Sequence, residues 1–568
     1  MTTEETSDRV ELVFWRWMLV IALVVMAVTA FGILKQPLIE DEVEFAEIAR
    51  SYISNGQPLA HVHGKIEPVV HHPQLYHLAL SAASLIWGAE WGGRVFGLLC
   101  LLISAWFGAL LARKIWQIPG VGEAAAIMIM LCPLCLRGSL LLDIDNTLLP
   151  VLCLGFLLAL AQYRELTKTN QLLGIIGLLA LALWCKLTTP LLMIIPLWML
   201  WKGNRKGQIF VVIAGGIALF AITWIGFCWW KGSDAFAPVK HLLGKGGSGM
   251  GLTTANWYIE LGKRFIQYVW WLSPFIAGLL LIPRAGASDQ RLFRALMVFV
   301  IVGSIFYWVI GGTAFGFPRY QIPIAMIAFV LLAPLVVRGW EMVRGKQGVR
   351  VLIVIVGALF LALVSGDALY PFYTYPEKVA MGNLKLWRLM IQLSGIVGGV
   401  VCFSAIFFLL WKNRMFGWWR KIGVLSSVIL LPWWISQDVV MSRAPYNTAY
   451  LYGERGIREA GSMLERLLPV DSEFIAPKDV AYHTDYRFPH QVLGAVCSGG
   501  NLEKELQRDE VRALVYRDGQ WIDSMTGLCL KSPSVQKILQ STFHYYHIGN
   551  FHIWIRQGNR IADRGKVP

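Results

Sequence analysis

Apolar runs of about twenty residues, broken by short polar segments, recur along the chain up to residue 435. A helix of that length crosses a bilayer core of about 30 Å, and it pairs its own backbone amides where lipid offers no partner. We therefore predict a polytopic α-helical membrane protein with about thirteen transmembrane helices. The predicted spans lie near residues 13–34, 91–112, 121–136, 147–163, 172–185, 187–201, 208–230, 268–283, 294–311, 322–337, 350–366, 388–411 and 422–435.

The polar segment after the first span is long, and we call it the first loop (residues 35–90). Its last part, "LYHLALSAASLIWG" (75–88), is apolar but too short to span a bilayer. We predict that this stretch is a helix lying in the membrane interface. Residues 1–435 then form one transmembrane module that includes the first loop.

The pattern changes after residue 436. "GIREAGSMLERLL" (456–468) carries apolar residues at a helical period, whereas "VRALVYR" (511–517) and "FHIWIRQ" (551–557) have the character of β-strands. We predict a small α/β domain over residues 436–568. Cys497 and Cys529 lie in it and are candidates for a disulfide if the domain is outside the cytoplasm.

Charge predicts the orientation of the chain. The formal net charge is +15, but the basic residues cluster in alternate short loops, as the positive-inside rule describes for membrane proteins. We therefore predict a cytoplasmic amino terminus, an extracytoplasmic C-terminal domain and no nucleic-acid partner. The basic loop residues are Arg113, Lys114, Arg164, Lys168, Lys202, Arg205, Lys206, Arg291, Arg294, Arg338, Arg344, Lys346, Lys412, Arg414, Arg420 and Lys421.

Acidic residues gather at the start of the first loop, in "EDEVEFAEIARSY" (40–52). At helical spacing Asp41, Glu44 and Glu47 share one face, away from the apolar face. For Glu40, Glu44 and Glu47 we favour a simple interpretation, since acids stabilise the first turn of a helix. Asp41 and the adjacent Glu42 are candidates for chemistry.

A second acidic pair, Asp143 and Asp145, lies in the outer turn before the predicted span 147–163. Carboxylates so close to hydrocarbon are costly unless they face a cavity or a cation. Together with Asp41 they offer a general base and a site for a divalent metal such as Mg, Mn or Zn. Asp145 is also a reasonable helix N-cap.

Two cations, Lys186 and Arg319, lie at predicted outer ends of spans, against the topological bias of basic residues. A bound phosphate would explain them. The alternative is snorkelling of the side chains toward lipid headgroups.

Five short motifs occur in order along the chain, at Asp41-Glu42 with Phe45-Ala46-Glu47-Ile48, His72-Pro73 with Leu75-Tyr76, Asp145-Asn146-Thr147-Leu148, Lys186 with Pro190, and Arg319-Tyr320 with Pro323. In this order and sidedness the sequence resembles the GT-C superfamily of membrane glycosyltransferases. The likeness is to the bacterial protein-mannosyltransferase-like branch, which includes the aminoarabinose transferase acting on lipid A.

The resemblance implies an inverting transfer of a sugar from a polyprenyl-phosphate donor of the undecaprenyl type. The acceptor would be lipid A, a glycan or a protein at the outer face of a bacterial inner membrane. Asp41 would be the general base, with Glu42 and Asp145 orienting the site or helping to hold a cation. Lys186, Arg319 and Tyr320 would bind the lipid phosphate.

The chain departs from the family pattern at two places. Glu44 stands where family members often carry a basic residue, and His71-His72-Pro73 stands where some carry Glu-Lys-Pro. His72 is then a candidate phosphate ligand and His71 a candidate metal ligand. Asp143 competes with Asp145 for the second acidic motif and is a further metal candidate.

Three other functions stay open at the level of sequence. A transporter or flippase for a lipid-linked sugar would need charged or broken helices near the bilayer midplane. An oligosaccharide ligase or polymerase would use a larger site, to which the glycine-rich loop 231–267 would contribute. A non-catalytic assembly protein would leave the two acidic segments unexplained.

Overall fold

The computed structural model describes residues 3–39, 41–62, 65–162, 169–200, 206–241, 258, 261–262, 287–309, 319–344, 434–435, 438, 456–469, 472–517 and 524–557. The predicted spans 268–283, 350–366 and 388–411, and almost all of 422–435, lie outside the described residues. The count of thirteen helices therefore stays a prediction.

Within those ranges the chain is mostly helical, and five helices are long and apolar enough to cross a membrane. A sixth candidate is a pair of helices bent by 62° at one break. The five are Leu12–Ile33, Leu75–Trp116, Gly207–Lys231, Gln290–Val309 and Arg319–Arg338.

Among the described residues before 345, twelve helices are numbered α1 to α12 in chain order. They are α1 (Thr3–Ile33), α2 (Asp41–Asn55), α3 (Leu75–Trp116), α4 (Val121–Leu131), α5 (Pro133–Ser139), α6 (Leu148–Gln162), α7 (Thr169–Cys185), α8 (Thr188–Leu192), α9 (Ile194–Leu200), α10 (Lys206–Lys231), α11 (Gln290–Val309) and α12 (Ile322–Arg344), with a 3₁₀ turn at Arg319–Gln321 before α12.

Helix α3 combines the predicted interfacial segment with the predicted second span. Gly88 has φ 75° and ψ 167° and interrupts the helical geometry between the two parts. Glycine adopts positive φ without the steric cost that a side chain adds. The sequence assigned these two parts separately, and the kink at Gly88 gives the physical boundary.

Pro133 begins α5 and separates it from α4, since proline is tolerated at a first helical position but not inside a helix. Gly97 of α3 packs against Ser139 at the end of α5. A Cβ at position 97 would overlap the carbonyl oxygen of Ser139. This close approach fixes the position of residues 140–147, the connection that carries the second acidic pair.

The first loop folds as α2 followed by a β-hairpin of β1 (Leu59–Val62) and β2 (Lys65–Pro68), which the sequence did not predict. Helix α2 buries its apolar face against α3. Arg94 of α3 donates to the carbonyl oxygens of Ile33 and Leu34 at the end of α1. Cations favour the C-terminal end of a helix, and Arg94 Nη2 also donates to the carbonyl oxygen of Pro37 at 3.3 Å, so Arg94 ties the start of the first loop to α3.

Residues 456–557 form a C-terminal α/β unit with a five-stranded mixed sheet in the order β4-β3-β5-β7-β6. Strand β3 pairs in parallel with β4 and β5, and the β5–β7 and β6–β7 pairs are antiparallel. The strands are β3 (Glu473–Ala476), β4 (His490–Val492), β5 (Val511–Arg517), β6 (Phe543–Ile548) and β7 (Phe551–Arg556); the helices are Ile457–Leu467, Lys478–Tyr482, Leu493–Ser498, Leu502–Gln507, Ser524–Leu530 and Pro533–Thr542.

Helix Ile457–Leu467 and strands β5 and β7 confirm the elements predicted at those positions. The predicted boundary at 436 lies outside the described residues, and the side of the membrane stays a prediction. No disulfide joins Cys497 and Cys529.

The C-terminal unit packs on the first loop through polar contacts. Arg458 donates to the carbonyl oxygen of Lys35 at 2.8 Å and to Glu90 at 2.9 Å. Lys478 Nζ lies 3.3 Å from Glu44 Oε2. Because Glu44 is in the acidic helix α2, this contact joins the unit directly to the candidate site.

Candidate active site

Eight of the nine site residues predicted from the sequence line one cavity of about 220 Å³. They come from segments that are far apart in sequence but meet where helices begin or end, which is a common location for ligand sites in helical bundles. The eight are Asp41, His71, His72, Asp143, Asp145, Lys186, Arg319 and Tyr320, and Glu44, Phe45, Ile144 and His241 complete the lining.

Helix geometry explains why these side chains converge. Asp41 is the first residue of α2, and Lys186 follows α7, its backbone N–H still donating to the Ala182 carbonyl. Arg319 begins the 3₁₀ turn before α12. Each polar group therefore lies at the end of a helix, where its backbone leaves the apolar bundle.

Arg319 bridges two carboxylates. Its Nη1 lies 2.6 Å from Asp41 Oδ2 and 2.6 Å from Asp143 Oδ2. The Asp143 side chain is 3% exposed, whereas that of Asp41 is 50% exposed. Asp143 is thus a buried anchor for the guanidinium, and Asp41 is the partner that solvent or a ligand can reach.

Lys186, the second cation of the cavity, is also held by a carboxylate. Lys186 Nζ donates to both carboxylate oxygens of Asp145, and it lies 4.1 Å from the centroid of the Tyr320 ring. A cation at this distance from an aromatic face is attracted by the ring quadrupole. The ring of Tyr307 stacks on Tyr320, with centroids 5.8 Å apart, and so supports it from behind.

Burial acts on the pKa values of Asp143 and Lys186 in opposite directions, but both pKa values end above their ordinary values. Burial raises the pKa of Asp143 to about 6, with the charge of Arg319 opposing and that of Asp145 adding to the rise. Burial alone would lower the pKa of Lys186, but the Asp145 carboxylate outweighs it, so the pKa lies above its ordinary value. Lys186 therefore remains a cation at neutral pH.

Glu42 is the predicted site residue that does not line the cavity. Its side chain is fully buried, and it accepts backbone N–H bonds from Leu142 at 3.2 Å and Ile39 at 3.3 Å. Arg94 Nη2 lies 3.8 Å from Glu42 Oε1. Burial raises the pKa of Glu42 to about 7, against the charge of Arg94. The position ties α2 to the connection that carries Asp143 and Asp145.

Three imidazoles form a group in the lining of the same cavity. The ligand nitrogens of His71, His72 and His241 all lie within 4.8 Å of one another. Burial, with the charge of His71 next, lowers the pKa of His72 well below its ordinary value, and a neutral imidazole is the form that binds metal. Asp143, the other metal candidate from the sequence, pairs with Arg319 and is not part of this imidazole group.

Glu44 connects the imidazole group to the C-terminal unit. Its Oε1 lies 3.2 Å from His71 Nε2, and its Oε2 lies 3.3 Å from Lys478 Nζ. Burial alone would raise the pKa of Glu44, but the hydrogen bond with His71 and the charge of Lys478 lower it to about 2. Glu44 is therefore a carboxylate that orients His71.

Sequence reasoning missed Glu44, His241 and Tyr307. Glu44 was assigned to helix-start chemistry, although its spacing from Asp41 on one face of α2 was a usable signal. His241 lies after α10 in a segment without a motif. Glu40, the first of the acids, lies outside the described residues.

The chain has structural neighbours among solved proteins. No protein-family model matches the chain, and no curated protein matches it either. Two solved structures of ArnT from Cupriavidus metallidurans do match, one bound to undecaprenyl phosphate and one in the apo state. The TM-scores are 0.55 and 0.54 at 12% and 13% identity, and each match covers 95% of this chain and 97% of the ArnT chain.

The chain shares the fold of these ArnT structures, in agreement with the fold that the ordered motifs predicted. At this identity the match shows the fold alone, so the chemistry of the cavity depends on the residues that line it. That cavity combines a reachable carboxylate with two cations held by buried acids, an arrangement that suits proton removal beside a bound anion.

Proposed function

We propose that this protein is an inverting glycosyltransferase that moves a sugar from a polyprenyl-phosphate donor to an acceptor hydroxyl or amine of lipid A, a glycan or a protein. The observation that carries the proposal is the half-exposed Asp41 carboxylate in one cavity with Arg319 and Lys186. A base and a pair of phosphate-binding cations are the groups that such a transfer needs.

The donor phosphate binds Arg319 and Lys186. Arginine presents a planar fork that matches phosphate oxygens, and Lys186 adds a point charge. Since Asp41 is the exposed partner of Arg319 and Asp143 the buried one, an incoming phosphate competes with Asp41 first. Donor binding therefore weakens the Arg319–Asp41 pair and frees the carboxylate to act as a base.

The chemical step is a single displacement. Asp41 takes the proton of the acceptor group, whose oxygen or nitrogen attacks the anomeric carbon from the side opposite the phosphate. The new bond forms as the bond between the anomeric carbon and the phosphate oxygen breaks, and the configuration inverts. The electron pair leaves with the polyprenyl phosphate, whose growing charge is stabilised by Arg319 and Lys186.

Three acids act through other groups in this proposal. Asp143 and Asp145 hold Arg319 and Lys186 in place, and buried charge-assisted bonds of this kind fix side-chain orientation. Glu42 positions α2, and hence Asp41, against residues 140–147. Tyr320 orients both cations through its ring.

A divalent metal is part of the proposal. The cavity is lined by four carboxylates and two cations. A divalent cation would offset the excess negative charge and favour binding of a phosphate donor. His71, His72 and His241 would hold the ion, with Glu44 orienting His71 as carboxylates do for metal-bound histidines. Three imidazoles suit zinc better than Mg or Mn. The ion would supply positive charge at the wall of the phosphate site.

The partners and location follow from the same reasoning. ArnT was solved with undecaprenyl phosphate bound, which supports a polyprenyl-phosphate donor with its tail in the surrounding lipid. The cavity lies at helix ends, where a lipid phosphate would sit. We place the protein in a bacterial inner membrane with the cavity and the C-terminal unit on the periplasmic side.

The test is transfer by the purified protein in lipid nanodiscs. A panel of polyprenyl-phosphate sugars is supplied with delipidated and intact cell-envelope acceptors, and products are identified by mass spectrometry and by NMR of the anomeric configuration. A product of inverted configuration supports the proposal. A retained configuration, or movement of the lipid-linked sugar across the bilayer of proteoliposomes without any product, contradicts it.

A further inference from the structure

A second cavity, which we call the hairpin cleft, lies between the β1–β2 hairpin and the C-terminal sheet. Its volume is about 770 Å³, within the range of roughly 300–1,000 Å³ of small-molecule sites. His61 and Ile66 line it from the hairpin, and β4 with the turn before it supplies much of the other wall. Neither unit forms this cleft alone.

One wall of the hairpin cleft is a hydrogen-bonding network. Gln491 Nε2 donates to Glu473 Oε1 at 2.7 Å and to Glu505 Oε2 at 2.8 Å. Arg508 donates to both carboxylates, at 2.9 Å and 2.6 Å. The acids are thus fixed and largely neutralised, and each carboxylate still has acceptor capacity because it offers about four lone-pair sites.

Another part of the lining is aromatic. The rings of His61 and Tyr486 stack with centroids 3.9 Å apart and planes 13° apart. Asp485 and Tyr486 have φ of 47° and 52°, a left-handed conformation that is uncommon for residues other than glycine. Backbone strain of this kind is found where a side chain must be held in one position for binding.

His490 supplies the observation that points to a ligand. Its side chain is nine-tenths buried, it lines the cleft, and its Nε2 has no hydrogen-bond partner among the residues that the structure describes. An unpaired buried polar atom costs free energy unless a ligand or water completes it. Burial, followed by the charges of His61 and Lys478, lowers the pKa of His490 to about 4, so the imidazole is neutral.

The chemistry of the ligand follows from these walls. Arg508 pairs with the two acids, and Arg487, which lines the cleft, lies 3.9 Å from Glu465, so neither a strongly anionic nor a strongly cationic ligand is favoured. Fixed acceptors beside an aromatic surface suit a neutral compound that carries many hydroxyl groups on an otherwise apolar ring. A saccharide has this character.

The hairpin cleft is linked to the candidate active site. His61 N–H donates to Glu47 Oε2 at 2.9 Å, and Lys478 lies between Glu47 and Glu44, 3.8 Å and 3.3 Å from their carboxylates. Glu47 lies one turn after Glu44 on α2. Helix α2 thus lines the candidate active site and contacts His61 and Lys478 beside the hairpin cleft.

We propose that the hairpin cleft is a saccharide-binding site that holds the sugar part of the acceptor while the acceptor's reactive group enters the cavity of Asp41. Its assignment to the acceptor rests on the proposed transfer function, whereas the binding of a saccharide does not. The acidic network and the Tyr486–His61 stack are the recognition groups.

The experiment measures binding of fluorescently labelled oligosaccharides to the full-length protein in nanodiscs. The probes are two neutral oligosaccharides, chitotetraose and mannotetraose. We expect at least one to bind, and we expect Glu505→Ala to weaken binding about tenfold, because it removes a charged acceptor. Glu503→Ala is the matched control, since Glu503 lies two residues away on the same helix but does not line the cleft.

A second variant tests the proposal independently if Glu505→Ala fails to fold. Tyr486→Asn removes the ring but keeps a residue type that adopts positive φ readily, and we expect it also to weaken binding about tenfold. Binding by none of the probes, or equal binding by wild type and both cleft variants, overturns the proposal. Wild-type protein that binds a saccharide but transfers no sugar contradicts the proposed function and leaves the proposal for the hairpin cleft standing.

Discussion

Arg319 Nη1 lies 2.6 Å from Asp41 Oδ2, although the two residues are 278 positions apart in the chain. The proposed phosphate ligand and the proposed base are therefore paired with each other before any substrate arrives. Since the other partner of Arg319, Asp143, is buried, donor phosphate replaces Asp41 and not Asp143. The account thus requires the donor to bind before the acceptor is activated.

Replacing Arg319 tests the phosphate site. We expect Arg319→Lys to weaken binding of undecaprenyl phosphate about tenfold, because lysine keeps the charge but loses the planar fork. Arg319→Met should weaken it further, to about a hundredfold. Binding is measured by titration in nanodiscs. Arg466→Lys, an exposed arginine of the C-terminal unit that does not line the cavity, is the control, and an equal loss in both lysine variants would argue against a phosphate role for Arg319.

Replacing Tyr320 distinguishes the role of its ring from that of its hydroxyl. The ring centroid is 4.1 Å from Lys186 Nζ, whereas the hydroxyl is 3.4 Å from Arg319 Nη2. Tyr320→Phe keeps the ring, so its transfer rate should stay within about twofold of wild type. Tyr320→Leu should lose about tenfold. Initial rates at saturating acceptor give the comparison, and an equally large loss in Tyr320→Phe would show that the hydroxyl matters instead.

Glu42 gives the protein a specific dependence of stability on pH. Its pKa is about 7 in the fold and 4.5 as an ordinary side chain. Between these values the folded state keeps a proton that the unfolded state has lost, so the contribution of Glu42 to stability is fully present below pH 4.5 and is lost as pH rises through 7. The full effect is on the order of 3 kcal/mol.

We expect the thermal midpoint of wild type to fall more steeply between pH 5 and pH 8 than that of Glu42→Gln. The measurement is thermal unfolding in detergent at a series of pH values, in which groups other than Glu42 contribute to both proteins alike. Parallel curves would mean that Glu42 does not titrate in this range.

The imidazole group predicts a bound metal. Protein purified without chelator should contain about one zinc or similar ion per chain, measured by inductively coupled plasma mass spectrometry. His241→Ala should lose it, and His547→Ala, an exposed histidine of β6, should keep it. An ion that persists in His241→Ala, or wild type without any, would rule out this site.

Much of the fold and of the cavity is predictable from sequence, for an identifiable reason. Long apolar runs indicate membrane spans. Ionisable residues beside hydrocarbon are energetically costly, so their presence in the sequence marks candidate site residues, here Asp143, Asp145, Lys186 and Arg319. They converge in one cavity because each lies at a helix end or in the connection between α5 and α6.

Other features depend on contacts that no local pattern carries. Adjacent residues in a helix point about 100° apart, so Asp41 faces the cavity while Glu42 faces the bundle, and the paired motif conceals this difference. His241 joins His71 and His72 only through the packing of distant segments. The β1–β2 hairpin, and with it the hairpin cleft, forms against a C-terminal unit that lies hundreds of residues further along the chain.

The most direct test of the central claim is transfer by Asp41→Asn in nanodiscs, with undecaprenyl-phosphate binding measured on the same preparation. Asparagine preserves the shape of the side chain but cannot accept the acceptor's proton. We predict that the transfer rate falls by about a hundredfold or more, that donor binding is retained or strengthened because Arg319 loses a competitor, and that Glu67→Gln, an exposed acid of the same loop, behaves as wild type. Transfer at the wild-type rate by Asp41→Asn would contradict the account.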